Sequence, residues 1–518
     1  MKKVVIRKGI YRDSINLMQM STALSKLPGV SQAAVVMATE LNRRVLAEAG
    51  FAGSDISRAA TADMIVAVDA RDAKSLDAAL AEAEDLILSK GPGSAGEARL
   101  PGSLEEALQA VPDANMVLIS VPGRFARREA SRALSRGLNV FLFSSNVSLD
   151  EELELKEAAR ERGLLMMGPD CGTSIINHKV FGFGNAVRPG PIGIVSASGT
   201  GLQEVSTLVH KNGLGISQAI GTGSGDMSEL VGGITMAEGL RRLEGDPETK
   251  AIVLISKPPS PKVAAKVLAM ARDCKKPVVV NFLGADLTAQ ALGRARGART
   301  LEDAARAACS AAGAQPPSAE AVPRELVASA SLEWPKLAES QRYVRGLFAG
   351  GTLCYEAQVV LGPVVGDVYS NGPIRPELKV EGEAPSKKHA CIDMGAEEFV
   401  EGRLHPMIDF ALRKTRIAKE AADPETAVLL LDVELGYGSN PDPAGELSPS
   451  IRDAKAAAAS RGRYLPVVAS IVATEGDLQN LAKQEATLRD AGTLIAPSNA
   501  SATRLAAMIA SRGKGGAS

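Results

Sequence analysis

The sequence predicts an α/β protein built from tandem parallel-sheet domains behind a small ferredoxin-like α/β module. Three observations predict it. Short apolar strands alternate with amphipathic helices along most of the chain, the spacing of a parallel sheet. A small-residue turn between a strand and a helix occurs twice, at 196–201 (SASGTG) and 349–352 (AGGT). After each copy comes a DPET turn and a hydrophobic strand, at 246–256 and 423–433. That echo is expected of two related α/β domains facing each other.

Composition bounds the function. A chain of 518 residues, 45% hydrophobic, has room for roughly three or four domains with buried cores. Aromatic residues make up 3%, and 59 Lys and Arg nearly cancel 60 Asp and Glu. Base-stacking platforms and a basic field are therefore missing, and nucleic acid is not an expected partner. The five cysteines, spread from Cys171 to Cys391, show no CxxC spacing, which points to a reducing compartment and away from a disulfide or zinc framework. The start, MKKVVIRKGIYRDS, lacks an apolar signal core. No uncharged apolar run reaches the ~18 residues of a membrane span. The expectation is a cytoplasmic protein with no membrane partner.

The elements follow in order. Residues 3–8 read as a strand, 13–27 as a helix, 31–39 as a strand, 40–49 as a helix, 62–70 as a strand and 73–88 as a long helix. This run reads as a ferredoxin-like module, or else as the first units of a larger doubly wound sheet. The GPGSAGE stretch at 91–97 reads as a linker. Ser103 with Glu106 three residues on has the look of a capping box. Residues 116–121 read as a buried strand, 126–137 as a helix, 139–143 as a strand, 149–162 as a charged helix and 164–168 as a strand. Loops at 121–125, 143–146 and 168–173 then lie at strand carboxyl ends, where such sheets bind ligands.

A further parallel unit opens at Pro191. Strand 191–195 runs through the first small-residue turn into a helix carrying Leu202, Val205, Leu208 and Val209. Residues 213–219 lead into the GTGSGD loop at 221–226. A helix at 236–243, strand 251–256, helix 260–274, strand 277–281 and helix 300–311 follow. The Pro-, Ala- and Ser-rich stretch to about residue 340 reads as an inter-domain linker. The last part repeats the plan from Arg345, with a Pro-rich and charged excursion at 363–388, a strand at 390–394 and another at 427–433.

The chemistry-bearing candidates sit at the turns. Where a strand ends and a helix begins, the first helical N–H groups have no internal partner and the dipole is positive. Ser198, Gly199 and Thr200, with Gly350, Gly351 and Thr352, are therefore candidate phosphate ligands. A plain N-capped turn explains one such stretch equally well; the pair is what points to an anion. Lys257, after strand 251–256, either serves that anion or is a solvated strand-end charge. His389 and His405 flank a strand and could line a cleft, but their spacing with Asp393, Glu397 and Glu398 matches no zinc pattern, so no metal is expected. Cys171, in GPDCGT, lacks an adjacent base and reads as a small buried residue before it reads as a nucleophile. Asn440 follows a strand in a GYGSNPDP loop whose turn chemistry accounts for it as well as function does.

These motifs resemble a known family. MMGPDCGT (166–173), IGIVSASGTGLQE (192–204), GTGSGD (221–226) and DPETKAIVLI (246–255) are similar to the alpha subunit of succinyl-CoA synthetase. AGGTLCYEA (349–357), IDMGAEEF (392–399) and DPETAVLLLDV (423–433) resemble the carboxyl-terminal domain of its beta subunit. With the extra N-terminal module, the chain resembles the FdrA family, in which alpha-like and beta-like parts are fused. The resemblance implies Rossmann-like and flavodoxin-like domains of the succinyl-CoA synthetase type. It implies a module at 1–92, a partial CoA-binding-type Rossmann domain at 98–188, an alpha-like domain at 189–315, a linker at 316–340 and a beta-like domain at 341–515. It also implies that Gly168, Pro169, Asp170 and Cys171 form a loop beside a CoA thiol, with Gly221, Gly223, Asp226 and Asn440 near substrate.

Departures from the pattern bear on mechanism. The synthetase carries phosphate on a histidine in a GHAGA loop. The matching stretch, 281–300, has no histidine, and the four of the chain stand at 178, 210, 389 and 405. Lys257-Pro258-Pro259 replaces a GEIGG glutamate, the Gly-rich turn that opens the usual CoA-binding domain is not recognisable, and no ATP-grasp domain is evident. The resemblance then implies a subunit of an oxamate carbamoyltransferase-type complex in allantoin catabolism. Such a complex interconverts oxalurate and phosphate with oxamate and carbamoyl phosphate, working with separate partner subunits or as a homo-oligomer. The alternatives are an NDP-forming acyl-CoA synthetase-like protein, with CoA as the one cofactor left open, and a non-catalytic scaffold.

Overall fold

The computed structural model describes every residue except 11, 13, 52–55, 57, 89–100, 286, 288–292, 317–322, 401–402 and 514–518. The linker expected at 91–97 lies outside the described residues, as do parts of 281–300 and 316–340. The chain divides into two compact units, Met1–Ser103 with Ala396–His405, and Leu104–Gly395 with Pro406–Ser518.

The first unit is built on a three-stranded antiparallel sheet. Its strands Lys2–Arg7 and Val30–Met37 flank the central strand Met64–Ala70. Helix Ser14–Ser25 joins the two outer strands, so this is a split β-α-β unit, the heart of a ferredoxin-like fold. The central strand reads MIVAVDA, apolar almost throughout, because both its faces are covered. Met64, Val66 and Val68 pack with Leu17, Leu24 and Ala79. Ile65 and Ala67 point the other way, onto Leu46 and Phe51. The alternative, the start of a larger doubly wound sheet, is excluded by this antiparallel order.

The second unit holds three sheets. The smallest is parallel, in the order Met116–Ile119, Asn139–Leu142, Met166–Met167. Its first strand was expected to be buried, but it is an edge with Leu118 53% exposed. The helix Leu149–Glu161 starts in a reciprocal capping box between Ser148 and Glu151.

The two larger sheets share one topology. In the seven-stranded sheet, Pro189–Ser196 lies between Ile216–Gly221 on one side and Ala251–Ser256, Val278–Phe282 and Ala295–Gly297 on the other, all parallel. A hairpin of Thr173–Ile176 and Lys179–Gly182, not foreseen from the sequence, extends it antiparallel. In the six-stranded parallel sheet, Tyr343–Phe348 lies between His389–Asp393 on one side and Thr426–Glu434, Val467–Val472 and Thr493–Ala496 on the other. Setting aside the hairpin of the first sheet and a two-residue edge strand of the second, Val368–Tyr369, which pairs with His389–Asp393, strand order is 2-1-3-4-5 in both, the flavodoxin-like arrangement, whose switch point lies at the carboxyl end of the first strand. Both small-residue turns occupy that point.

One continuous core joins the two domains. Leu202 and Val205 of helix Gly199–Lys211, Ala304 and Ala308 of helix Leu301–Ala311, Leu353 and Ala357 of helix Gly351–Val365, and Leu505 and Ala506 of helix Asn499–Ala510 belong to it. Residues 201–210 are buried on every side, so the polar side of that helix, Gln203, Ser206, Thr207 and His210, also lies away from solvent. The linker expected at 316–340 is only partly a linker. Residues Arg324–Glu333 form a helix and Trp334–Lys336 a 3₁₀ turn, with Ala330 and Leu337 buried in the shared core. Low hydrophobicity hid an apolar side too narrow to stand out from Ala and Ser.

Candidate functional site

The two helix N-termini meet. Ser198 caps helix Gly199–Lys211, its Oγ accepting from the Gly201 N–H at 2.9 Å. The same Oγ lies 2.5 Å from Thr352 Oγ1, in the first turn of helix Gly351–Val365. Glycine makes the approach feasible. A Cβ on Gly201 would lie 3.2 Å from Thr352 Cγ2, and one on Gly350 would lie 3.1 Å from Thr200 Cβ. The N–H groups of Gly199 and Thr200 open their helix and so have no intrahelical acceptor. Thr173, 1% exposed, was missed by the sequence reading. Its Oγ1 has no hydrogen-bond partner among the described residues and lies 3.2 Å from the position of a Cβ on Gly199.

Charge gathers at the second terminus. Lys257 Nζ and Asp393 Oδ2 would lie 3.1 Å and 2.4 Å from a Cβ on Gly351. Both side chains come from strand carboxyl ends. The buried Asp432 carboxylate accepts from the N–H groups of Ala349 and Gly350, at 2.9 and 2.7 Å, and pairs with Arg413 at 2.5 Å. Gly350 is therefore corrected as a phosphate ligand, because its donor is already spent on Asp432. Glu434, beside Asp432, is held well above the usual carboxylate range by burial and by that neighbouring acid.

The repeat places a second pair of acids inside. SGTGLQE and GGTLCYE align Thr200 with Thr352 and Glu204 with Glu356. Glu204 accepts from the Asn499 N–H at 2.9 Å, and Glu356 from the Leu301 N–H at 2.6 Å. Each glutamate thus caps the last helix of the other domain. Burial pushes Glu204 up to about 7 and Glu356 up to about 8.

Other expected site residues serve the frame. Asp226 is corrected from ligand to structural anchor. It is fully buried, its Oδ1 lies 2.7 Å from Lys156 Nζ, and it caps helix Ile234–Gly245 through the N–H groups of Thr235 and Met236. Asn440 is likewise a loop staple, donating to the Ile408 carbonyl and accepting from the Asp442 N–H, each at 2.8 Å. Gly221 and Gly223 let the 221–226 loop press on the 168–173 loop. A Cβ on Gly223 would lie 2.0 Å from the Pro169 carbonyl oxygen, and one on Gly221 2.5 Å from Cys171 Sγ. Gly168 has φ +99° and precedes Pro169 through a cis bond. Asp170 accepts from Ser224 Oγ at 2.7 Å. Gly172, at the loop's end, lies against Gly199, whose Cβ would stand 3.5 Å from its Cα. Burial pushes the Cys171 thiol up to about 12, so it remains a thiol and is not a nucleophile.

The histidines of the second unit stand away from the convergence. His389 begins its strand, at the end opposite Asp393, and its Nδ1 accepts from the Val344 N–H at 3.2 Å. Burial first, and then Arg345, lowers it to about 4, so it is neutral. His389 is therefore corrected as a catalytic candidate. His210, near the far end of its helix, accepts from the Arg188 N–H at 3.0 Å and contacts Glu475 at 2.7 Å. His178 sits at the hairpin turn. His405 belongs to the first unit. No group of three His, Cys, Asp or Glu with metal-binding geometry occurs among the described residues.

Comparison with known proteins agrees with this architecture. Residues 1–101 match the family described as AllF, heavy metal-associated domain. Residues 189–316 match the succinyl-CoA ligase like flavodoxin domain, and 347–509 the CoA-ligase family. The uncharacterized protein YahF of Escherichia coli (strain K12) is 44% identical over 99% of both chains. Succinate–CoA ligase [ADP-forming] subunit alpha 2 of Archaeoglobus fulgidus is 33% identical over 35% of this chain and 63% of its own. The chain thus spans under two thirds of that ligase subunit. Among solved structures, dinucleotide forming acetyl-coenzyme A synthetase 1 of Ca. Korarchaeum cryptofilum aligns at 17% identity and TM-score 0.28, covering 78% of this chain and 84% of that one.

Proposed function

This chain belongs to the succinyl-CoA synthetase-like family that includes YahF, and from that premise we propose that it binds a carbamoyl or acyl phosphate where its two flavodoxin-like domains meet. The reaction proposed is of the oxamate carbamoyltransferase type. A phosphate oxygen attacks the carbamoyl carbon of oxalurate, the bond to the oxamate nitrogen breaks, and the phosphate's proton ends on that nitrogen as carbamoyl phosphate forms. The observation that carries the reading is the Ser198–Thr352 contact with Lys257 beside it, in a domain pair whose histidines lie elsewhere.

Each residue then has a task. The N–H groups of Gly199 and Thr200 and the Thr173 hydroxyl donate to phosphoryl oxygens, helped by about half a positive charge at the helix end. Lys257 offsets the charge that builds on the phosphate. Asp393 takes up and returns the migrating proton. Direct transfer needs no enzyme-bound phosphate, which suits a chain without a histidine at 281–300. The test is to incubate the full chain, with the proteins that co-purify with it, with carbamoyl phosphate and oxamate. Phosphate release seen by ³¹P NMR is the result expected; none would sink the reading.

A second reading, a CoA-binding acyl-CoA ligase-like subunit, is favoured by the smallest sheet. Its three carboxyl-end loops press into one rim, since a Cβ on Gly123 would lie 2.3 Å from the Asn146 carbonyl oxygen and the Asp170 N–H donates to the Ser144 carbonyl at 2.9 Å. Phe125, 48% exposed, lies under the Arg124 guanidinium at 4.8 Å. That pair could stack an adenine, and CoA would supply a thiol as acyl acceptor. Thermal shifts with carbamoyl phosphate and with CoA separate the readings. A heavy metal in the N-terminal module does not fit, because residues 1–101 contain neither cysteine nor histidine.

A further inference from the structure

We propose that the second unit has a separate binding site for an organic carboxylate with an apolar body, placed along helix Gly351–Val365 beyond the anion turn. A cavity of about 620 Å³ opens there, between Gly284 and Arg299 of the first flavodoxin-like domain and the helix and 366–378 segment of the second. That volume suits a small organic ligand. At 1.5 Å per residue, Gln358 stands roughly 9 Å along the helix from Thr352, so this is not the phosphate position.

The cavity is shaped by the excursion that distinguishes the second repeat from the first. Gln358 is buried and fixes that excursion to the helix. Its Nε2 donates to Ser370 Oγ at 3.2 Å and to the Gly372 carbonyl at 3.1 Å, and its Oε1 accepts from the Ile374 N–H at 3.1 Å. Gly362 faces open space, since a Cβ there would meet nothing within 4 Å. Val359, Val368 and Ile374 supply apolar lining.

Two guanidiniums set the charge. Arg375 pairs with Asp367 and stands 3.8 Å from Glu377. Arg299 lies across the cavity, and nothing in the structure pairs it among the described residues. With Asp367 as the one acid among the lining residues, the lining carries a net positive charge. Planar forks of this kind pair with a carboxylate through two parallel hydrogen bonds. An anionic head on Arg299 and an alkyl body on the valines and Ile374 fill such a site. Inorganic phosphate leaves the apolar wall empty.

Isothermal titration of the full chain with hexanoate, its neutral isostere hexanamide and inorganic phosphate tests this. Saturable hexanoate binding is expected, at least tenfold tighter than hexanamide and undiminished by saturating phosphate. Arg299→Gln should weaken it at least tenfold, and Gly362→Leu should abolish it by filling the cavity, while Lys257→Gln leaves it unchanged. The proposal is overturned if hexanoate does not bind, if phosphate displaces it, if Lys257→Gln weakens it or if Arg299→Gln leaves it intact. Should Gly362→Leu fail to fold, Arg299→Gln, at an exposed position, decides alone. Failure here leaves the phosphate reading standing, because that reading is tested at Lys257.

Discussion

A single hydroxyl, Ser198 Oγ, both caps its own helix and touches the facing one. Replacing it, Ser198→Ala, should cost about 1–2 kcal/mol by urea unfolding, the weight of a lost N-cap. Lys257 differs in kind. It is exposed, so Lys257→Gln should shift stability by less than about 0.5 kcal/mol. Losing a charge-assisted contact to phosphate should weaken anion binding roughly tenfold or more. Equal losses of stability and binding would instead mark Lys257 as structural. The five cysteines are all buried, so a thiol reagent at pH 8 should label none until the chain unfolds. Rapid labelling of Cys171 would contradict its place in the core. Sequence motifs located Ser198, Thr352 and Lys257 because each ends a legible strand or opens a legible helix. Thr173 escaped because nothing in a GPDCGT loop distinguishes a hydroxyl aimed at a helix terminus from one that satisfies a turn.

Among elements, strand Thr426–Glu434 carries the most consequence. Its Asp432 neutralises buried Arg413 and holds two N–H groups at the start of helix Gly351–Val365. Removing one member of a buried ion pair leaves the other uncompensated. Asp432→Asn should therefore cost about 3–5 kcal/mol in equilibrium unfolding. A loss under about 1 kcal/mol would show that Arg413 finds other acceptors. The strand was plain in the sequence as AVLLLDV. Its acid's role was not, since an Asp near a strand end reads the same whether it meets solvent, substrate or arginine. Likewise the DPET turns were legible as punctuation, whereas the hairpin at 173–182 was not. Its strands are four residues each, too short for alternation to stand out.

At the scale of the molecule, the two flavodoxin-like domains cap one another through Glu204 and Glu356. Both carboxyls titrate higher folded, at about 7 and about 8, than the usual 4.5. Between 4.5 and 8 the folded chain therefore holds more protons than the unfolded one. Their contribution to stability falls as pH rises through this window and levels off above it. His389, lowered to about 4 from 6.5, acts oppositely but only below about 6.5. Urea unfolding should thus lose stability from pH 6.5 to 8.5, and Glu204→Gln should flatten the slope; an unchanged slope would exclude Glu204 as its source. The pseudo-symmetry behind this was half visible, because the turn-and-DPET echo announced two related domains. The reciprocal caps needed coordinates, since nothing local tells a glutamate six residues into one helix that it ends beside another domain's helix.

In the function proposed, the two helix N-termini and Lys257 form one anion site. The most direct measurement is a titration of the full chain with carbamoyl phosphate, followed by heat and by ³¹P line width, in the parent and in Lys257→Gln. Saturable binding in the parent, weakened at least tenfold by the substitution and blocked by inorganic phosphate, is the predicted result. Absence of binding in the parent, or binding that Lys257→Gln leaves untouched, would contradict it.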